Sequence, residues 1–146
     1  MLGGFGRGAG KPVVSLETPE QQLRVLQMPS PQETLGFVES GLLDLESGRA
    51  RPLVLRLTQV WADADLDALS SYASWCDCLN TESDRAQQAR LLDARNPPLA
   101  DAIVALHDSG KSVFAAVGSL HMIGPLGLPG LLAERGFSVE RVRFSP

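Results

Sequence analysis

Two residues of this chain stand at the ends of apolar segments, where their side chains could do chemistry. Glu17 follows the short β-branched run 13–16, and His121 follows the apolar run 112–117. Ligands of open α/β sheets bind outside the carboxyl ends of the strands, where a carboxylate and an imidazole could bind a divalent metal or position a water molecule. In the structural alternative, Glu17 only complements a helix dipole and His121 is an ordinary loop residue.

Three segments have the composition of strands: 13–16, 112–117 and 137–144. The continuous apolar run 112–117 is typical of a strand that is covered on both faces. We therefore expect an α/β fold, a small and mostly parallel sheet flanked by helices, with a helical insertion between the first and second strands. Phe114 should then lie in the core and His121 in an exposed loop, so that Phe114→Ala should be the more destabilising change.

Periodicity and capping residues predict the helices. Thr18, with Pro19 after it and Gln21 three residues on, is typical of an N-cap whose partner reaches back to it. Asn96 is predicted to cap the helix that follows it. One helix is expected to start after Thr18, and the others are expected at 32–46, 53–61, 66–75, 82–95 and 99–107, and from 126 or 128 to 135.

The N-terminal segment 1–12 is rich in glycine and has no periodicity, which predicts a flexible leader ahead of a single domain at 13–146. It lacks the apolar core and the cleavage site of a signal peptide. We expect no membrane span, because the apolar stretches are shorter than the ~18–20 residues that cross a bilayer.

Charge and composition exclude some partners. The chain has 13 Lys and Arg residues against 17 Asp and Glu residues, a net charge of -4, and no basic block interleaved with aromatic residues. A nucleic-acid partner is therefore not expected. The hydrophobic fraction of 44% and the charged fraction of 21% are typical of a soluble globular chain.

The two cysteines, Cys76 and Cys78, are separated by a single residue and have no second pair with which to form a zinc site. We expect two ordinary thiols near the end of a helix, because a disulfide ring this small is strained. A disulfide-bonded loop in an oxidising compartment is the alternative.

The segment from Val113 to Pro125, in which Gly118-Ser119-Leu120-His121 is the most specific element, closely resembles the C-terminal signature of the TraB/GumN family, which includes the Tiki proteases. Two upstream pieces are similar as well. Leu16-Glu17-Thr18 resembles the glutamate-bearing strand end of the family, and Arg95-Asn96 resembles the Arg-Asn pair on a later helix of the family.

The resemblance implies a parent activity of metal-dependent hydrolysis, with a peptide or protein as the substrate. His121 would be a metal ligand, and Glu17 would be a ligand or the base that acts on metal-bound water. Arg95 and Asn96 would orient the substrate or stabilise developing negative charge. The implied cofactor is a divalent ion such as Mn, Co or Zn, and the implied parent is periplasmic or exported.

The chain also departs from the family pattern. Family members carry two G-x-x-H motifs, and this chain has only the one that ends at His121, because His107 lacks the glycine. The chain therefore resembles the C-terminal half of the family domain, and the lone chain could be inactive. The alternatives are a non-catalytic binding or remnant domain, as in the related ChaN-like binders, and a half that pairs with another chain, for example as a homodimer.

Overall fold

The structure, a computed structural model, describes residues 2–143 as helices joined by segments without regular secondary structure. A π-helical turn, Ala89–Asp93, precedes α8, and a 3-10 turn, Ser119–Met122, precedes α9. In chain order the α-helices are α1 (Leu2–Gly8), α2 (Pro19–Leu26), α3 (Pro31–Glu46), α4 (Ala50–Ala62), α5 (Leu66–Ser70), α6 (Tyr72–Trp75), α7 (Glu82–Gln88), α8 (Asn96–Asp108) and α9 (Leu128–Glu134).

The predicted α/β fold is wrong. Residues 2–143 contain no strand, so the mostly parallel sheet expected from segments 13–16, 112–117 and 137–144 is not formed by them; residue 144 lies outside the described residues. A strand exists only as one member of a hydrogen-bonded ladder, and the apolar composition of one segment does not specify its partner. Phe114, expected in the core, is 83% exposed.

The helix start predicted from Thr18 and Gln21 is confirmed. The backbone N–H of Thr18 donates to the Gln21 side chain at 2.7 Å, and the N–H of Gln21 donates to the Thr18 hydroxyl at 3.2 Å, which completes the expected capping box of α2. Ser30 caps α3, and Asp65 caps α5. These are local contacts, so the sequence around each helix start specifies them.

Asn96 does not have its predicted capping role. It is the first residue of α8, and Pro97 and Pro98 follow it in the first turn. Proline is tolerated there because backbone N–H groups of the first turn make no hydrogen bond within the helix. The predicted helix at 82–95 is divided between α7 and the π-helical turn. The Asn96 side chain is therefore available for contacts outside its own helix.

The core that supports this region lies between α8 and α9. Leu99 and Ala100 of α8 are buried with Leu128 and Leu131 of α9, and three partly buried residues pack against them: Leu16, Val117 and Leu132. The two helices are also joined by an ion pair between Arg135 and Asp101, whose Nε to Oδ1 distance is 2.8 Å.

Two other predictions meet different outcomes. Residues 2–8 form α1, where composition predicted a leader without periodicity; the flexibility of segment 1–12 and the single domain at 13–146 stay predictions.

The sulfurs of Cys76 and Cys78 are bonded to each other, so the expectation of two ordinary thiols is wrong and the disulfide alternative holds. None of the helices within residues 2–143 has the length and hydropathy needed to cross a membrane.

Candidate functional site

Arg95 and Glu17 form the charged part of the candidate site. Arg95 lies between the π-helical turn and α8, and its Nε and one terminal nitrogen donate to the two Glu17 oxygens at 2.8 and 2.5 Å. Its other terminal nitrogen donates to the Leu91 carbonyl at 3.0 Å. This bidentate geometry is the strongest arrangement that a guanidinium and a carboxylate adopt.

The ion pair changes the acidity of both groups. The Arg95 guanidinium, by hydrogen bonding above all, lowers the pKa of Glu17 against the opposing effect of burial. Glu17 in turn raises the pKa of Arg95. Glu17 is thus an ionised carboxylate whose two oxygens are both bonded to Arg95, and it does not offer a free oxygen pair to a metal ion.

Asn96 and His121 form the buried part. The Asn96 amide nitrogen donates to the Leu126 carbonyl at 2.7 Å, and its Oδ1 lies 2.6 Å from Nδ1 of His121. Because a carbonyl accepts but cannot donate, the Asn96 nitrogen must face Leu126, and its oxygen must face His121. Nδ1 of His121 therefore carries the proton, and Nε2 is the unprotonated nitrogen of the neutral ring.

The environment of the His121 ring favours its neutral form. The residue is 7% exposed, and its pKa is lowered, first by burial and then by the positive charge of Arg95, with Glu17 opposing. Within residues 2–143 no group hydrogen-bonds to Nε2, and that atom is not enclosed. A neutral ring with an accessible Nε2 lone pair can coordinate a metal or accept a proton.

The G-x-x-H spacing corresponds to one 3-10 turn. The backbone N–H of His121 donates to the Gly118 carbonyl at 3.0 Å, which sets the three-residue separation. A Cβ placed on Gly118 would lie 3.7 Å from Cδ2 of the His121 ring, next to Nε2. A side chain at this position would therefore contact the ring on the side of Nε2, and glycine makes no such contact.

These residues match a known protein family. The family model of the TraB/PrgY/gumN family matches the chain over residues 6–141. The chain belongs to the TraB/PrgY/gumN family. The match covers nearly the whole chain and is not confined to a C-terminal half, and it confirms the family predicted from the motif that ends at His121. No curated protein and no solved structure matches the chain significantly.

The TraB-family chain brings its four predicted site residues into one network. Arg95 holds Glu17 and the adjacent Asn96 holds His121, so two consecutive residues connect two distant parts of the sequence. Glu17 and His121 are linked through this pair and, in residues 2–143, not by a hydrogen bond of their own. Their predicted roles in binding and catalysis stay predictions.

Sequence reasoning missed the loop that completes this TraB-family network. The Leu126 carbonyl that fixes Asn96 is held between Gly124, whose φ is 80°, and Gly127. A Cβ on Gly127 would lie 2.8 Å from the Ile123 carbonyl oxygen, so only glycine fits there. The cluster Gly124-Pro125-Leu126-Gly127 was the available sign of a tight turn.

The described residues of this TraB-family chain do not complete a metal site. No group of three or more His, Cys, Asp or Glu side chains in residues 2–143 could hold a metal ion. Of the two predicted ligands, His121 fits, because its Nδ1 is anchored and its Nε2 is accessible, as in metal-binding histidines. Glu17 does not fit while both of its oxygens are bonded to Arg95.

Proposed function

We propose that this TraB-family domain presents Nε2 of His121 as one ligand for a divalent metal ion, Mn, Co or Zn. The metal serves the peptide hydrolysis that the family resemblance implies as the parent activity. Structural and catalytic metal sites take three or four protein ligands. Residues 2–143 supply one that fits, so we expect no peptide hydrolysis from these residues alone.

The observation that supports this proposal is the 2.6 Å contact between Oδ1 of Asn96 and Nδ1 of His121. A hydrogen bond to one ring nitrogen fixes the tautomer and orients the other nitrogen toward a ligand. The lowered pKa of His121 also favours metal binding, because a metal ion and a proton compete for Nε2 and the proton is bound less readily.

The role of the ion pair follows from its contacts. Arg95 holds Glu17 ionised beside the His121 network, and their opposite charges act on the imidazole in opposite directions. The pair therefore positions the segment after residue 16 against α8 and sets the charge around His121. A peptide carboxylate or carbonyl would have to displace Glu17 in order to reach the Arg95 guanidinium.

Metal titration of the full chain tests the proposal, because the chain contains His107 as an internal control. His107 is exposed, in the last turn of α8, and its ring packs edge-on against Phe137 at 5.1 Å between centroids. We expect Zn²⁺ to shift the ring resonances of His121 at lower concentration than those of His107. His121→Ala should abolish the stronger binding, and His107→Ala should preserve it.

The alternative is a non-catalytic TraB-family domain that binds no metal, and the occupied oxygens of Glu17 favour it. Equal responses of the two histidines, or no response of either, would support that alternative. Glu17→Gln separates the roles further: the proposal predicts only a modest loss of Zn²⁺ affinity, because the variant leaves the Arg95 charge near His121 without its counter-charge, whereas a loss as large as that of His121→Ala would make Glu17 a ligand. Peptide turnover that survives His121→Ala would also contradict the proposal.

A further inference from the structure

The turn after α6 carries a second group of reactive side chains, separate from the His121 network. The bonded residues Cys76 and Cys78 enclose only Asp77, whose φ of 50° lies in the left-handed region. A disulfide stabilises a fold mainly by closing a long loop of the unfolded chain. A disulfide across one intervening residue closes a very short loop, so its contribution to the stability of the fold is at the low end of the range for disulfides.

Each sulfur of the pair faces its own hydrogen-bond donor. The backbone N–H of Cys78 donates to Sγ of Cys76 at 3.2 Å, and the Tyr72 hydroxyl lies 3.3 Å from Sγ of Cys78. A disulfide sulfur carries no proton, so the hydroxyl must be the donor. Donors at both sulfurs stabilise the thiolates that leave during thiol–disulfide exchange.

Exposure distinguishes the two cysteines. Cys76 is 3% exposed, whereas Cys78 is only partly buried, and an incoming thiolate therefore meets Cys78 first. The donor is held in place by Trp75, whose ring packs edge-on against Tyr72 with centroids 5.1 Å apart. Trp75 is itself fixed, because its Nε1 donates to the Ala68 carbonyl at 2.7 Å.

We propose that Cys76 and Cys78 form a thiol–disulfide exchange site whose substrate is a dithiol. The first substrate thiolate attacks Sγ of Cys78, the S–S bond breaks, and its electron pair goes to Sγ of Cys76, which faces the Cys78 N–H. The second substrate thiolate attacks the substrate sulfur of this mixed disulfide and expels Cys78 as a thiolate that faces the Tyr72 hydroxyl.

The reaction is balanced in atoms and electrons. The substrate dithiol loses two electrons and two protons and becomes a disulfide. Cys76 and Cys78 gain the same electrons and protons and become two thiols. The reverse reaction, with a disulfide substrate, returns the pair to its bonded state.

Reduced glutathione is the probe for the test, with the full chain in its folded form and the same chain unfolded in guanidinium chloride as the control. We expect the folded chain to react about tenfold faster than the unfolded chain, because unfolding removes both donors. Mass spectrometry of the acid-quenched mixed disulfide should locate glutathione on Cys78.

Tyr72→Phe removes one donor and keeps the ring. We expect it to slow the release of Cys78 from the mixed disulfide about tenfold, because a hydrogen bond to a charged group is lost. Attachment of glutathione to Cys76, a folded chain that reacts no faster than the unfolded one, or a Tyr72→Phe variant with unchanged release would each overturn the proposal.

Discussion

At the scale of single residues, Asn96 is the one on which the state of His121 depends. It is 1% exposed, and its amide contacts both the imidazole and the Leu126 carbonyl. Asn96→Ala leaves the buried imidazole and the partly buried Leu126 carbonyl without this partner, and we expect it to lower the free energy of unfolding by about 1–3 kcal/mol. Urea denaturation measures the change.

Asn80→Ala is the matched control for that measurement. Asn80 is exposed, and its amide contacts only the nearby Asp77. Its replacement should change the free energy of unfolding by no more than about 0.5 kcal/mol. Equal losses for the two asparagine variants would contradict a special role for Asn96.

The lowered pKa values of His121 and Glu17 predict two steps of acid destabilisation. Below the unfolded-state pKa of His, about 6.5, the unfolded chain binds a proton that folded His121 resists, so stability falls as the pH falls. Below about 4.3 the same holds for Glu17. Both contributions are fully present at neutral pH.

The free energy of unfolding, measured at a series of pH values from 7.5 to 3, should resolve the two steps. We expect His121→Gln to remove the loss that begins near pH 6.5, and Glu17→Gln to remove the loss that begins near pH 4.3. His107→Gln is the control for the first step. A His121→Gln variant whose pH profile matches that of the parent chain would contradict the assignment.

At the scale of elements, the start of α9 depends on Gly127. A Cβ there would meet backbone atoms of Ile123 at 2.8 Å, and backbone cannot give way as a flexible side chain can. We expect Gly127→Ala to lower the free energy of unfolding by about 1–3 kcal/mol, because the crowded backbone must shift. Thermal or chemical denaturation measures this loss.

Gly130→Ala provides the control within α9 itself. A Cβ on Gly130 would meet nothing within 4 Å, and Ala favours a helix over Gly. We expect the variant to be neutral or more stable by up to about 1 kcal/mol. If Gly127→Ala were equally well tolerated, the turn would not require glycine.

Helices were predictable from the sequence, and the arrangement of the remaining segments was not. The capping box between Thr18 and Gln21 and the periodicity of α3 depend on residues within a few positions of one another, so the local sequence determines them. A strand needs a distant partner, and the composition of segment 112–117 indicated burial without specifying one.

The same distinction applies to the candidate site. His121 and Glu17 were identified from their positions after apolar segments, and Arg95 and Asn96 from the family resemblance. Their contacts join residues 78 and 25 positions apart, which no local pattern determines. Burial also reverses the predicted ranking of stability effects, because His121 is buried and Phe114 is exposed.

At the scale of the whole molecule, many large apolar side chains are exposed in the described structure. They include Leu35, Phe37, Leu42 and Leu43 on α3 and Trp61 on α4, together with Phe114. Exposed apolar surface of this kind favours association. The homodimer expected from the sequence stays a prediction. We expect static light scattering to give an average mass that exceeds the 15.6 kDa of one chain and rises with concentration.

A mass that stays at that of one chain across the concentration series would contradict the prediction of association. Phe37→Ser provides a variant for the same measurement, because it removes an apolar side chain from the surface of α3. We expect it to reduce the apparent mass at a given concentration if this face takes part in association.

The central claim is that Asn96 holds His121 as a neutral imidazole with its proton on Nδ1 and its lone pair on Nε2. Long-range ¹H–¹⁵N correlation spectra of the full chain at neutral pH report the protonation of both ring nitrogens directly. The account predicts a protonated Nδ1 and an unprotonated Nε2 for His121. A proton on Nε2 with a bare Nδ1, or a doubly protonated ring, would contradict it.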